Sequence, residues 1–496
     1  MTESEEAHSQ ADFDIIIIGA GISGINAAYR IQNEGPRGAT YKILEARTSI
    51  GGTWDLFRYP GIRSDSDVAT FGFAWNPWKK NQTLASGPEI KDYMIESAAL
   101  YGIDRHISYN RKVVAANWSH PDKLWALDVE KADSGSAGLA HGITLKARFV
   151  LLATGYYDYG QPLQPIIPGL GDFQGAVIHP QFWPDGFDYT NQDIVVIGSG
   201  ATAVTLLPSL LDKAKSVTML QRSPSYIVAL PLQDRLTNVL HAALPTQLAG
   251  RFTRLFWISR SWLINYVSRR WPDYVRNTVR DATIKLLPPE ISWDPHFNPR
   301  YNPWDQRVCA TMDGDFFAAL RSGKANVVTD TISRVTANAI QLESGGQLSP
   351  DVIITATGLK LKCAGGIKVS VDGTRVDFSQ KLAWKSTMLQ DVPNLAFITG
   401  YENASWTLGA DVGMQTFLRL IRTMEDRGVY VATPRLQPED VQEERRSLFT
   451  LSSTYLKNAN QVFPMAGTGQ WSPKQNYIVD MLRASWGDMT TGMEFQ

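Results

Sequence analysis

Cysteine is nearly absent. Among 496 residues only Cys309 and Cys363 occur, far apart and in no CxxC pair. That argues against a disulfide framework or a thiolate zinc site, and a reducing, cytoplasmic compartment fits. No charge of one sign dominates either: the formal net charge is −1 with 20% charged residues, so nothing marks the whole chain for nucleic acid. Long apolar runs are missing as well. The longest, an early strand and helix, is interrupted by glycines, so no transmembrane segment is expected. Met1–Asp12 is polar and acidic, without the basic start of a secretory signal. What remains is an ordinary globular composition, 44% hydrophobic, long enough for two or three domains.

The stretch Phe13–Glu45 organises the chain. A buried strand (Asp14–Ile18) runs into the loop Gly19-Ala20-Gly21-Ile22-Ser23-Gly24, then a helix and a second strand, Tyr41–Glu45. Gly19 suits the tight turn, Gly21 a close approach to pyrophosphate, and Gly24 close packing of the helix on the sheet. Glu45 stands where a carboxylate accepts hydrogen bonds from ribose hydroxyls. A second loop repeats the device: the strand Asp193–Ile197, then Gly198-Ser199-Gly200-Ala201-Thr202-Ala203-Val204. The strand after it ends in Gln221-Arg222 with no acid. An arginine there pairs with a ribose 2′-phosphate, which a carboxylate repels. The first site therefore suits an unphosphorylated ribose and the second NADP.

Between these units, Gly51–Asp65 reads as a loop by its glycines and Pro60, but it gathers Trp54, Tyr59 and the Arg63-Ser64-Asp65 run. Such a set is better explained by function than by a surface connection. Strands are expected at Arg111–Trp118 and Ala147–Leu152. The latter ends in Ala153-Thr154-Gly155, matched by Ala356-Thr357-Gly358 after Asp351–Thr355, two places where the chain crosses between domains. Residues 228–305 read as helices carrying Trp257, Trp262 and Trp271. Arg251 to Leu287 holds eight basic and two acidic residues. The expectation is an insertion packed over the second nucleotide site, its charge attracting an anionic cofactor; peripheral contact with anionic lipid is the alternative. A strand at Asn394–Gly400 precedes a helix from about Gly409, whose N-terminus suits the electron-rich end of a flavin ring. Leu451–Gln496 shows too little periodicity for an assignment.

Two longer motifs carry a family resemblance. Phe173-Gln174-Gly175-Ala176-Val177-Ile178-His179-Pro180-Gln181-Phe182-Trp183-Pro184 matches F-x-G-x-x-x-H-x-x-x-W-P, and Gly52–Asp65 matches G-x-W-x-x-x-x-Y-P-G-x-x-x-D. The chain resembles the flavin-dependent Baeyer–Villiger monooxygenases, most closely those of the ethionamide-activating type, from about Asp14 to the region of Tyr477. The resemblance implies an α/β fold of two Rossmann-like dinucleotide-binding domains, for FAD and NADP, with a helical insertion. Residues 1–150 and 359–496 would form the FAD domain, 151–227 and 306–358 the NADP domain, and 228–305 the insertion.

It also implies site residues. FAD would rest on Gly19, Gly21, Ser23, Gly24 and Glu45, with Gly52, Thr53, Trp54, Asp55, Leu56 and Asp65 lining the flavin and Val113 at the adenine. NADPH would use Gly198 to Val204 with Gln221 and Arg222, and Arg63, Ser64 and Asp65 would face its nicotinamide half. The catalytic residue carries over to Arg307, oriented by Asp65. A guanidinium stays charged at any working pH and would stabilise a C4a-peroxyflavin and the oxyanion that follows its attack on a carbonyl. Without the family, a structural salt bridge is the plainer reading of Arg307. The substrate would be a ketone or sulfide with O2, open-chain aliphatic ketones first, giving esters, lactones or sulfoxides. Gln306 departs from the lysine many relatives carry, leaving one cation fewer for the 2′-phosphate. His179 reads as a positioning residue in the linker. Asn302–Trp304 and Trp471 are expected at the substrate pocket. The rivals are a heteroatom-oxidising flavin monooxygenase, a disulfide reductase of the same fold, which the separated cysteines disfavour, and a nucleotide sensor without turnover.

Overall fold

The computed structural model describes residues 10–131, 142–437, 445–449 and 458–496. The first part of the acidic N-terminal stretch and residues 451–457 of the unassigned C-terminal region lie outside that description. The run Ile15–Ile18 is almost wholly buried because its strand, Phe13–Ile18, lies inside a sheet covered on both faces. It pairs in parallel with Tyr41–Leu44 on one side and Ile143–Leu152 on the other. Around it runs an 11-stranded sheet in which Arg111–Ser119, Leu124–Lys131 and Ile143–Leu152 form an antiparallel meander. Late strands complete this sheet. Lys368–Val371 pairs with Arg111–Ser119, and Leu395–Phe397 pairs in parallel with Ile143–Leu152.

The second sheet has five strands, all parallel, in the order Ala325–Thr329, Ser216–Gln221, Asp193–Ile197, Val352–Thr355, Ala176–Ile178. The chain leaves one sheet for the other after Leu152 and again after Thr355, so both Ala-Thr-Gly endings fall at crossings. Each sheet keeps its own apolar core: Ile17, Ile25 and Phe417 in the first, Val196, Leu206 and Phe316 in the second.

The insertion begins with a strand, Ile227–Leu230, paired with Cys309–Met312, and continues as helices Arg235–Ala243, Thr246–Arg270 and Pro272–Leu286. Its long helix does not pack over the second nucleotide loop as expected. Arg254 explains why. Buried in that helix, its guanidinium donates to the carbonyls of Ala69, Thr70 and Gly72 (3.1, 3.1 and 2.7 Å) and to Asp411 at 3.0 Å. Asp411 is fully buried on the long helix Trp406–Arg427 and also accepts from Arg30 and Asn26 of the first helix, Ile22–Glu34. One carboxylate thus ties three helices together. Removing one partner from such a buried pair costs about 3–5 kcal/mol. The insertion meets the second unit at both ends instead: its first strand pairs there, Leu286, Leu287, Ile291, Trp293 and Phe297 join the second core, and the His296 carbonyl accepts from Gln221. Among the described residues no helix is long and apolar enough to cross a membrane.

Candidate active site between two glycine loops

The first glycine loop delivers an uncapped helix. Ile22–Glu34 starts at Gly21 with no side-chain cap, so the amides of its first turn are left for a ligand. Glu45 is buried and accepts the Ala20 amide at 2.7 Å and the Arg47 amide at 2.8 Å. Burial raises its pKa, opposed by those two amides. Each carboxylate oxygen retains a second acceptor site for a ribose hydroxyl. Ser23, also buried, accepts the Trp406 indole at 2.8 Å.

The Gly51–Asp65 loop begins against this first loop. Gly52 sits at φ +56, and a Cβ there would lie 3.3 Å from Gly21 Cα and 3.3 Å from the Tyr159 hydroxyl. Two glycine backbones face each other with no side chain between them. Thr53 Oγ1 lies 3.0 Å from the Tyr159 hydroxyl, and Trp54 stands edge-on to Phe71 with centroids 5.6 Å apart. Asp55 accepts Arg47 Nε at 2.9 Å and Lys91 Nζ at 2.6 Å. Burial pushes its pKa up, but the two cations outweigh it and the net shift is downward. Leu56 turns away to pack on the second core.

The same loop ends on the second unit. Tyr59 is buried against Thr202, and burial raises its phenol to about 12. Gly61, at φ +75, leaves no room for a side chain: a Cβ would clash with Ser209 on the helix Ala201–Leu210. Asp65 follows between two anchors, Ser64, bonded to Ala85 through backbone and hydroxyl, and Asp67, whose carboxylate caps the next helical turn at Thr70. Asp65 then grips Arg307 by two contacts, Nε to Oδ2 at 2.9 Å and Nη2 to Oδ1 at 3.2 Å. Arg307 stands just before the strand Cys309–Met312, after a turn in which the Asp305 carboxylate takes the Asn302 amide at 3.0 Å. Trp304 in that turn holds a left-handed φ of 71, rare for so large a side chain.

At the second glycine loop, Gly198 donates to Leu220 at 2.9 Å, the following helix again starts without a side-chain cap, and the space beside Gly200 is open. Ser199 Oγ donates to the Ser223 carbonyl at 2.9 Å. Arg222 is exposed past the strand end and forms no ion pair with a described residue.

Several expected side chains point elsewhere. Ala203 and Val204 are wholly buried in the second core, and the Val204 amide bonds to Gly200. Ala201 also packs on that core. Gln221 is 2% exposed and spends its amide on His296 and Thr329, so Arg222 stands alone at that strand end. The Val113 side chain lies in a core beneath the first sheet, which leaves only its backbone for an adenine. Arg63 pairs with Asp315, and Ser64 is buried, so of their run Asp65 is the member joined to Arg307. Trp471 is core, 1% exposed, rather than pocket wall. His179 accepts the Gln181 amide at 3.2 Å, and burial lowers its pKa, opposed by backbone groups of Gly358 and Leu163.

Sequence reasoning missed Tyr159, Arg47 and Lys91 around the first loop, Asp315 behind Arg63, and Lys474. Lys474 donates to the Gly409 carbonyl at 3.1 Å, and burial brings its pKa down to about 8. A cavity of about 460 Å³ adjoins it, between the insertion helix and residues 399–404 and 473–478; neither Arg307 nor a glycine loop lines it.

Two uncapped helix starts, glycine backbones bared at Gly21, Gly52 and Gly200, and a free arginine at the second strand end form a donor set that fits two dinucleotides. Neither Cys309 nor Cys363 is in a disulfide, and burial pushes both thiols up to about 12, which removes the thiolate a disulfide reductase needs. Residues 15–242 match the family model described as pyridine nucleotide-disulphide oxidoreductase, a match to the nucleotide-binding fold. The FAD-containing monooxygenase EthA of Mycobacterium tuberculosis is 44% identical over 470 residues, 94% of either chain. The probable FAD-binding monooxygenase AlmA of Acinetobacter baylyi is 41% identical over 469 residues, 94% of this chain and 92% of that one. In structure the chain is similar to OTEMO crystallised with FAD and NADP, with TM-score 0.74, 19% identity and coverage of 98% and 100%. The chain belongs to the FAD-containing monooxygenases.

Proposed function

We propose that this chain is an NADPH- and O2-dependent oxygenase converting ketones, open-chain aliphatic ones first, to esters or lactones, and sulfides to sulfoxides. The observation that carries the reading is the two-point grip of Asp65 on Arg307, at the end of a loop that touches both glycine loops. Bound FAD, reduced by the nicotinamide nucleotide, supplies the oxygenating chemistry.

The protein's part is positioning and charge. The Gly19–Gly24 loop and the uncapped helix hold the FAD pyrophosphate, and Glu45 takes the ribose. Gly198 to Gly200 and the second helix start hold the NADP pyrophosphate, and Arg222 meets the 2′-phosphate. With glutamine at 306 that phosphate lacks a second cation, which blunts the preference for NADPH over NADH. Arg307 offers a permanent positive charge to the negative charge that builds on oxygen as it is inserted. Asp65 fixes the plane of the guanidinium, so the donors stand ready before the carbonyl arrives.

Anaerobic reduction by NADPH, then mixing with oxygenated buffer and an aliphatic ketone such as 2-octanone, tests the reading. One ester formed per NADPH consumed supports it. Turnover of amines and sulfides without ketones would assign the chain to the heteroatom-oxidising monooxygenases. Hydrogen peroxide release with no organic product would leave only the fold assignment.

A further inference from the structure

A surface helix normally buries its apolar side and exposes its polar one. Thr246–Arg270 departs from that rule. Besides Trp257 and Ile258, its buried positions are Ala249, Gly250, Thr253, Arg254 and Ser268. Its outward stripe is Leu248, Phe252, Leu255, Trp262, Leu263 and Tyr266, all 44–59% exposed. Their spacing keeps all six on one helix face.

Basic residues frame the stripe. Arg251 flanks its start and Arg269 and Arg270 its end, within a segment holding eight basic and two acidic residues. The aromatic end is ordered: Trp262 and Tyr266 stack at 5.7 Å, Tyr266 meets Trp271 edge-on at 6.3 Å, and Arg270 lies over Trp271 at 5.6 Å. Indole and phenol rings settle at headgroup depth, arginines bind lipid phosphates, and aliphatic side chains between them enter the acyl boundary. The cationic rim is complementary in charge to anionic headgroups.

We propose that the outward face of this helix docks the enzyme on a bilayer carrying anionic phospholipid headgroups. The docking is interfacial, since among the described residues no helix can span a membrane. It also places the 460 Å³ cavity at the membrane surface. Trp262, Tyr266, Arg269 and Arg270 form one wall of that cavity, so apolar compounds held in the bilayer reach it without crossing water.

The test is flotation of the purified full-length flavoprotein with vesicles of phosphatidylcholine alone or of phosphatidylcholine and phosphatidylglycerol in equal parts, at low and high salt. The wild type floats with the mixed vesicles, less at high salt, and weakly with phosphatidylcholine alone. The triple variant Phe252→Glu, Leu255→Glu, Leu263→Glu partitions about tenfold less or worse, while its unfolding temperature and its NADPH oxidation stay at wild-type levels. Absence of wild-type flotation, equal flotation of the triple variant, or indifference to phosphatidylglycerol overturns the proposal. So does a wild-type dimer in solution that the triple variant converts to monomer, which would assign the face to a second copy. Flotation reads docking without turnover, so failure of the proposed reaction is not mistaken for failure of docking.

Discussion

Substituting Arg307 separates the oxygen step from everything before it. Arg307→Ala removes the guanidinium; Asp65→Asn keeps it and loosens its orientation. The two contacts, at 2.9 and 3.2 Å, are charge-assisted, a class that contributes about 1.5–3 kcal/mol when shielded from water. Here the side chains remain 34% and 25% exposed, which reduces the stability share to about 1 kcal/mol. Both variants therefore stay folded, with unfolding temperatures within about 2–4 °C of wild type. The effect on turnover is much larger. Losing a preorganised donor to a developing oxyanion costs about 10²–10³ in rate, so ester formation by Arg307→Ala falls by that factor. A guanidinium left in place but misaligned costs about 10- to 100-fold, the range expected for Asp65→Asn. Arg307→Lys belongs with the alanine variant, because an ammonium lacks the two-point fork. The assay pairs anaerobic flavin bleaching by NADPH with chromatographic yield of ester and of hydrogen peroxide. Bleaching stays at the wild-type rate, ester falls and peroxide rises. Wild-type ester yield from Arg307→Ala, or loss of bleaching in step with ester, would refute the reasoning.

Arg222→Ala raises the KM for NADPH by about 10- to 100-fold, the worth of one charge-assisted phosphate contact, and leaves the KM for NADH unchanged; steady-state kinetics with both nucleotides checks it. Gly21→Ala separates fold from ligand. Its new methyl meets Gly52 Cα at an ordinary 3.9 Å, so the protein folds, but the methyl stands where pyrophosphate must approach and the purified variant has lost its 450 nm flavin band. Glu89 caps the helix Gly87–Leu100, which carries Lys91 to Asp55. Burial pushes its carboxyl up, but Lys80, Ser86 and Gln82 outweigh that and bring it to about 2. A carboxylate depressed in the folded state adds stability above its unfolded pKa and loses it as pH falls through the folded one. The unfolding-temperature gap between wild type and Glu89→Gln is thus full at pH 7 and closes between about pH 4.5 and 2.

The legible parts of this chain are those whose physics is local. A strand, a glycine turn and a helix start lie within a dozen residues, so both nucleotide loops and their flanking strands stand within a residue or two of expectation. The side chains that defeated the reading depend on partners far along the chain. Gln221 looks like a nucleotide ligand until His296 and Thr329 arrive to take its amide. Val113 looks available until the first sheet is covered. The insertion helix was expected over the second loop because its positive charge suggests an anion. Arg254 instead follows a buried carboxylate at residue 411, whose identity as a partner no pattern discloses. Asp65 and Arg307 could be paired in advance only because the family resemblance implies a role for each.

The split of the first sheet has a consequence for how the enzyme comes into being. The second sheet is complete once residue 355 has been made, whereas Ile143–Leu152 waits for Leu395–Phe397, and the first helix waits for Asp411. At translation rates of about 5–20 residues per second, that leaves the first half-sheet and its glycine loop without their neighbours for roughly 10–50 s. The domain begun first is finished last. On the ribosome the second sheet is complete about 2–8 s before the last strand of the first one has been made.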